Sequence, residues 1–249
     1  MISKSQISFI KSLHQKKFRK EHGLFLVEGI KSVTEFIHSY YTVDTIFCTA
    51  NVLPKLGNLL QKINLNEVTE TELAKISTLS TPQQILALIK FPPEIAIDAE
   101  ALKNNFTLVL DGIQDPGNLG TIIRTADWFG FKHIICSYNT VEAYNPKVVQ
   151  ATMGSLSRMK INYTNLPNFL KSVGIPVYGA LLNGQSIYNT NFGNEGIIVL
   201  GNEGNGINET TLKYIKHPVT IPRFGDAESL NVAISAAIFC SEIKRNLLN

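Results

Sequence analysis

The chain has 249 residues, of which 44% are apolar, 17% charged and 9% aromatic, the composition of an ordinary soluble, globular protein with room for one large domain or two modest ones. The net charge of +3 is too small to make the whole chain a polycationic coat for nucleic acid. The charge is uneven, however: residues 1–20 hold Lys4, Lys11, Lys16, Lys17, Arg19 and Lys20 with no acid, +6 in all, which leaves −3 for residues 21–249.

Residues 7–37 read as helical material interrupted by a strand-like run, Leu24-Phe25-Leu26-Val27, with a second helix from about Gly29. Residues 45–49, Glu67-Val68 and residues 84–89 read as further strands with short helices between them, which makes a compact α/β unit. Phe91-Pro92-Pro93-Glu94 breaks the pattern, because consecutive prolines propagate neither a helix nor a central strand. A domain of residues 1–91, a linker of 92–105 and a second domain of 106–249 are expected.

In the second domain the alternation is more regular. Thr107-Leu108-Val109-Leu110 is followed by a loop, a helix from about Leu119 to Phe129, and the strand His133-Ile134-Ile135-Cys136. Asn145-Pro146 opens a helix as cap and first-turn proline. Residues 176–181, 197–200 and 219–221 read as buried strands, and a helix from about Leu230 to Leu247 closes the chain. Short apolar strands alternating with helices predict a mostly parallel sheet covered on both faces.

The longest apolar runs fall far short of the roughly 18 residues of a membrane span, and the start of the chain leads into no secretory signal, so a soluble, cytoplasmic protein is expected. Cys48, Cys136 and Cys240 are odd in number, far apart and set among apolar residues, which reads as reduced core thiols. Five scattered histidines and the lack of any CxxC or HExxH spacing predict no metal site.

Ligands of parallel α/β sheets bind beyond the carboxyl ends of the strands, which directs attention to three loops. In the first, Gly120 and Arg124 lie four apart on a helix and so share a face, where the missing side chain leaves room for substrate beside the guanidinium; Asn118 is able to cap that helix. A capped helix with a solvated arginine fits the spacing equally well. The second loop, Gly201-Asn202-Glu203-Gly204-Asn205-Gly206, has neither the G-x-G-x-x-G nor the P-loop spacing, and a plain glycine-rich turn accounts for it unless Glu203 meets a ligand hydroxyl or amine. The third runs from Ile221-Pro222-Arg223-Phe224 to Ser229-Leu230-Asn231-Val232. Ser229 is placed to cap the last helix, while Asn231 interrupts an apolar helix start and requires a partner.

Taken together and in this order, the three loops resemble the three motifs of the SpoU/TrmH family of RNA ribose 2′-O-methyltransferases. Residues 115–126, with the core Asn118-x-Gly120-x-x-x-Arg124, resemble the first; Gly201-Asn202-Glu203-Gly204 the second; Ile221-Pro222 with Ser229-Leu230-Asn231-Val232 the third. The resemblance covers residues 107–249 strongly, and residues 1–90 are more weakly similar to the family's N-terminal substrate-binding domain, which has the fold of a small ribosomal RNA-binding protein. It implies a SPOUT fold in the second domain, with a trefoil knot that shapes the cofactor pocket. It also implies S-adenosylmethionine as cofactor, held at Gly201, Ile221 and Leu230, with Leu181 and Asn183 as further candidates, and a homodimer.

By the same resemblance Arg124 is the catalytic arginine, with Asn118, Glu203, Ser229 and Asn231 orienting the ribose and completing the pocket. A guanidinium with a pKa above about 12 is an awkward general base, so Arg124 is expected to grip a substrate phosphate and polarise the hydroxyl, with a phosphate oxygen as one receiver for the proton. Arg223 and Phe224 depart from the family pattern, which has an apolar residue after the Ile-Pro pair. Structured RNA is the expected partner, ribosomal RNA ahead of tRNA, and no membrane. Lys16, Lys17, Arg19 and Lys20 are expected to track its phosphates. A tRNA methyltransferase, a non-catalytic RNA-binding homologue and a dinucleotide-dependent enzyme are the competing readings, separable by calorimetry with S-adenosylmethionine against NAD.

Overall fold

The computed structural model describes residues 2–56, 63–93 and 96–248. Glu94, the last residue of the expected break, and Met1 lie outside the described residues. The chain divides into two compact units, residues 1–95 with 142–157 and residues 96–141 with 158–249. The division is therefore not a single cut: residues 142–157, deep in the expected second domain, belong to the first unit.

In the first unit α1 (Lys4–Ser12) starts with a reciprocal cap, Ser3 accepting from the Gln6 N–H at 3.1 Å while the Gln6 side chain accepts from the Ser3 N–H at 2.9 Å. Next, α2 (Lys16–His22) ends at Gly23, whose φ of +62° is the left-handed conformation a helix C-terminus favours. The chain continues through β1 (Leu24–Glu28), α3 (Ile30–Ile37), β2 (Val43–Cys48), α4 (Leu53–Leu56), β3 (Asn64–Glu67), α5 (Glu70–Ile76) and β4 (Ile85–Lys90). The sheet order is β1-β4-β2-β3, with β4 antiparallel to both its neighbours and β2 parallel to β3. One face is packed by Ile10, Leu13, Leu73 and Ile76 from the helices against Leu26, Phe47 and Leu86.

Arg19 contradicts its expected role. It is only 2% exposed, its Nη1 donates to the carbonyls of Leu13 and His14 at 2.9 Å each, and its Nη2 pairs with Glu142 at 2.8 Å. Those two carbonyls close α1, where no further helical N–H is available to them, so the guanidinium supplies the missing donors. Lys16, Lys17 and Lys20 remain exposed on α2.

The second unit contains α6 (Ala99–Leu102), β5 (Phe106–Asp111), α7 (Pro116–Trp128), β6 (His133–Ser137), β7 (Lys160–Thr164), α9 (Leu166–Ser172), β8 (Val177–Ser186), β9 (Gly196–Gly201), α10 (Glu209–Leu212), β10 (His217–Thr220) and α11 (Val232–Leu247); the helix α8 (Pro146–Ala151) belongs to the first. Its sheet runs β10-β8-β9-β5-β6-β7 and every pairing is parallel, as expected for an α/β fold. The central strand β5 is buried throughout, and β9 is buried up to its last residue. The pairing of β10 with β8 jumps from Pro218 opposite Gly179 to Val219 opposite Gln185, so residues 180–184 leave the ladder.

Candidate active site

Strand order reverses beside β5: the chain goes from β5 to β6 on one side, while β9 lies on the other. The carboxyl ends of such neighbours form a crevice in which loops converge. After β5 the chain turns at Gly112, whose φ of +73° suits glycine and whose N–H donates to Ser137 Oγ at 2.8 Å. Asp115 then caps α7, its Oδ1 accepting from the Asn118 N–H at 2.8 Å, with Pro116 in the first turn. The cap is thus Asp115 and not Asn118, which leaves the Asn118 side chain for other work. Its Nδ2 donates to Glu203 Oε1, and its Oδ1 accepts from Asn231 Nδ2 at 2.9 Å.

Asn231 is also the N-cap of α11, its Oδ1 accepting from the N–H groups of Ala233 at 2.9 Å and Ile234 at 3.3 Å. This corrects the expectation for Ser229, which lies two residues too early and makes no hydrogen bond among the described residues. Asn231, predicted to require a partner, has three.

The loop after β9 is held by a residue to which the sequence alone assigns no role. Asn202 donates to the Gly112 carbonyl at 2.9 Å and accepts from the N–H groups of Gly204 at 2.9 Å and Asn205 at 3.2 Å, fastening this loop to the one after β5. Asparagine before a glycine-rich run is a turn signal that could have singled it out. Gly201 is a packing necessity, since a Cβ there would lie 2.2 Å from the Gly206 carbonyl carbon.

A cavity of about 670 Å³ lies between the loops after β9 and β10, the first turns of α11 and the stretch where β8 leaves the ladder. Leu181, Gly201, Ile221 and Leu230 of the expected cofactor set line it, as do Glu203 and Ser229. Asn183 does not; it is exposed in the unladdered stretch. Asn118 and Asn231 do not line it; Asn118 bonds to Glu203 of the lining and Asn231 to Asn118. The departures from the family pattern, Arg223 and Phe224, both line the cavity; the Phe224 ring is 96% exposed, and Arg223 Nη1 donates to the Ala227 carbonyl at 3.4 Å.

Arg124 is exposed on α7 in a stripe with Gly117, Thr121 and Trp128, and has no ion-pair partner among the described residues. Gly120, one turn before Arg124 and on the same side of the helix, is buried. Asp127, one turn beyond Arg124, is engaged by Arg158 with Nη2 to Oδ2 at 2.7 Å.

The three cysteines are free and buried. Burial pushes the Cys136 thiol far up and the Cys240 thiol up to about 12, so both are protonated packing groups at neutral pH. Among the described residues no group of three or more His, Cys, Asp or Glu is arranged for a metal ion, and no helix is long and apolar enough to cross a membrane.

These features define a parallel α/β domain with a cavity formed by β8 and the loops after β9 and β10, beside a polar network built from three loops. Residues 105–241 match the SpoU rRNA methylase family, and residues 4–87 match the MRM3-like substrate binding domain. The 23S rRNA (guanosine(2553)-2′-O)-methyltransferase RlmP of Bacillus subtilis is 34% identical over 239 residues, 94% of each chain. A TrmH-family protein from Porphyromonas gingivalis, described as an RNA methyltransferase, superposes with a TM-score of 0.90 at 41% identity, covering 98% of this chain and 99% of that one. An AdoMet-bound rRNA methyltransferase from Sinorhizobium meliloti superposes with a TM-score of 0.89 at 27% identity, covering 100% and 98%. The chain belongs to the SpoU rRNA methylase family.

Proposed function

We propose that this protein is an S-adenosylmethionine-dependent methyltransferase that modifies a ribose 2′-hydroxyl in large-subunit ribosomal RNA. The observation that carries the reading is the network Asn231–Asn118–Glu203, which ties the three family motifs together at the wall of the cavity. The substrate named for RlmP, 23S rRNA, supports ribosomal RNA over tRNA.

The residues present fit the cofactor. About 670 Å³ is within the range of small-molecule sites, and the apolar side chains of Leu181, Ile221 and Leu230 alternate with backbone polar groups of the loops after β9 and β10, a lining suited to a purine and ribose. S-adenosylmethionine, when bound, supplies a methyl group activated on a sulfonium. The chain's own residues position the hydroxyl: Arg124, exposed and without an ion-pair partner among the described residues, grips a phosphate of the RNA, and Ser229 and Glu203 in the cavity wall orient the ribose.

In the first unit, Lys16, Lys17 and Lys20 form the exposed cationic face that contacts RNA phosphates. The chain path in the second unit is read as the family's trefoil knot, supported by the match of residues 105–241 to the SpoU family. A homodimer is supported by apolar side chains left bare in the same unit, Trp128 at 85% and Ile234 at 52% exposure. We place the enzyme in the cytoplasm with its RNA.

Calorimetry with S-adenosylmethionine against NAD, followed by transfer of a labelled methyl group to 23S rRNA, tests the reading. Binding of S-adenosylmethionine alone and label in the RNA are expected; binding of NAD alone overturns it.

A further inference from the structure

We propose that Phe224 is the platform on which the base of the target nucleotide stacks, an inference that rests on reading the protein as an RNA ribose methyltransferase. Residues 221–231 join β10 to α11 without regular secondary structure, and from Arg223 to Asn231 every residue is exposed. Within this segment the Phe224 side chain is 96% exposed, more than any other large apolar side chain among the described residues. A Cβ built on Gly225, the next residue, would meet nothing within 4 Å, so the space beside the ring is open as well.

A single exposed ring is ordinary on a protein surface; its place is what gives this one a use. Phe224 lines the same cavity as Leu181 and Ile221, but those two are half-buried, so they form the floor and the ring stands at the rim. A ribose that reaches a methyl donor held on that floor arrives across the rim. The base of that nucleotide is bonded to C1′, the carbon next to the one that carries the reacting hydroxyl, and so lies close beside the reaction centre. A planar apolar face at the rim is what a base drawn out of its own stack requires.

Charge decides between a base and the backbone as the occupant. In residues 221–231 Arg223 is outweighed by Asp226 and Glu228, so the segment is net negative and repels phosphates. The phosphate grip stays with Arg124 on α7, and the base goes to Phe224. Arg223 Nη1 donates to the Ala227 carbonyl at 3.4 Å, a long bond across the bend that presents the ring, which makes Arg223 a positioning residue. Every base offers a π-face, so the ring holds and orients the nucleotide without choosing its identity.

The test uses single-turnover methyl transfer from S-adenosylmethionine at subsaturating RNA, with wild-type protein, Phe224→Ala, Phe224→Leu and Phe224→Tyr. The substrates are a 23S rRNA fragment that carries the methylated nucleotide and the same fragment made abasic at that nucleotide. On the intact fragment Phe224→Ala and Phe224→Leu are expected to lower the rate about 10- to 100-fold and Phe224→Tyr to stay within about threefold of wild type, with calorimetric affinity for S-adenosylmethionine unchanged in all three. On the abasic fragment wild-type protein and Phe224→Ala are expected to agree within about threefold, because either removal breaks the same contact. A Phe224→Ala or Phe224→Leu rate equal to wild type on the intact fragment overturns the inference, as does a full further loss from Phe224→Ala on the abasic one. A rate that falls in proportion to affinity for S-adenosylmethionine assigns the ring to the cofactor, and a change in sedimentation of Phe224→Ala assigns it to a contact between copies of the chain; each overturns the inference. Absence of any transfer by the wild-type protein overturns the functional reading itself.

Discussion

Two arginines separate a residue that holds this protein together from one that its fold leaves open to solvent. Arg19, in the basic helices of the first unit, is buried with two carbonyls and a carboxylate around its guanidinium. Arg124, on the first helix after β5 in the second unit, is exposed with no ion-pair partner among the described residues. A guanidinium buried within its own fold is out of a ligand's reach; one left open to solvent is available to a phosphate. The same contrast runs through the polar residues of each region. Among the Lys and Arg of residues 16–20 the inward one is structural and the outward ones face solvent, and in the crevice Asp115 is spent on a cap while Asn118 is released to join three loops.

Replacing each arginine should give opposite signatures. Arg19→Ala leaves Glu142 buried without its counter-ion and is expected to cost about 3–5 kcal/mol of stability, seen as a fall in the chemical-denaturation midpoint, with little change in the activity of the remaining folded protein. Arg124→Ala should leave the midpoint unchanged and lower the methyl-transfer rate by about 10²- to 10³-fold, the usual scale for loss of one donor to developing charge. If the two variants exchanged signatures, the comparison would fail.

Asn118→Ala removes the bonds to Glu203 and Asn231, and a rate about tenfold or more below wild type is expected from single-turnover kinetics. Asn118→Asp should be worse than alanine, because it sets a second carboxylate against Glu203. The smallest effect belongs to the exposed face of α2. Converting Lys16, Lys17 and Lys20 to glutamine should weaken RNA binding and reduce the slope of log affinity against log salt by up to about 2 to 3, with S-adenosylmethionine affinity unchanged. An unchanged slope would make these lysines a solvated surface only.

The buried strands were legible because β5, β6 and β9 are runs of β-branched and leucine residues with no competing helical period. β7 was not: Lys160–Thr164 sits at a sheet edge, half-buried, with polar residues between apolar ones. Asn231 announced itself as a polar residue among apolar neighbours, whereas the choice of Asp115 over Asn118 as cap turns on Pro116, which marks the first helical turn three residues ahead of the reading. Arg19 was misread because its partner Glu142 is 123 residues away, in a segment that carries no local sign of joining the first unit. Local pattern reveals caps and strands; a long-range ion pair appears only once the chain has closed on itself.

The most direct measurement is a map of 2′-O-methylated nucleotides in 23S rRNA from a strain lacking this protein, read by resistance of the backbone to alkaline cleavage and repeated after complementation. The account predicts that one methylated ribose is lost, is restored by the wild-type protein, and is not restored by Arg124→Ala present at the same level. A methylation map unchanged by the deletion, or restored equally by Arg124→Ala, would contradict it.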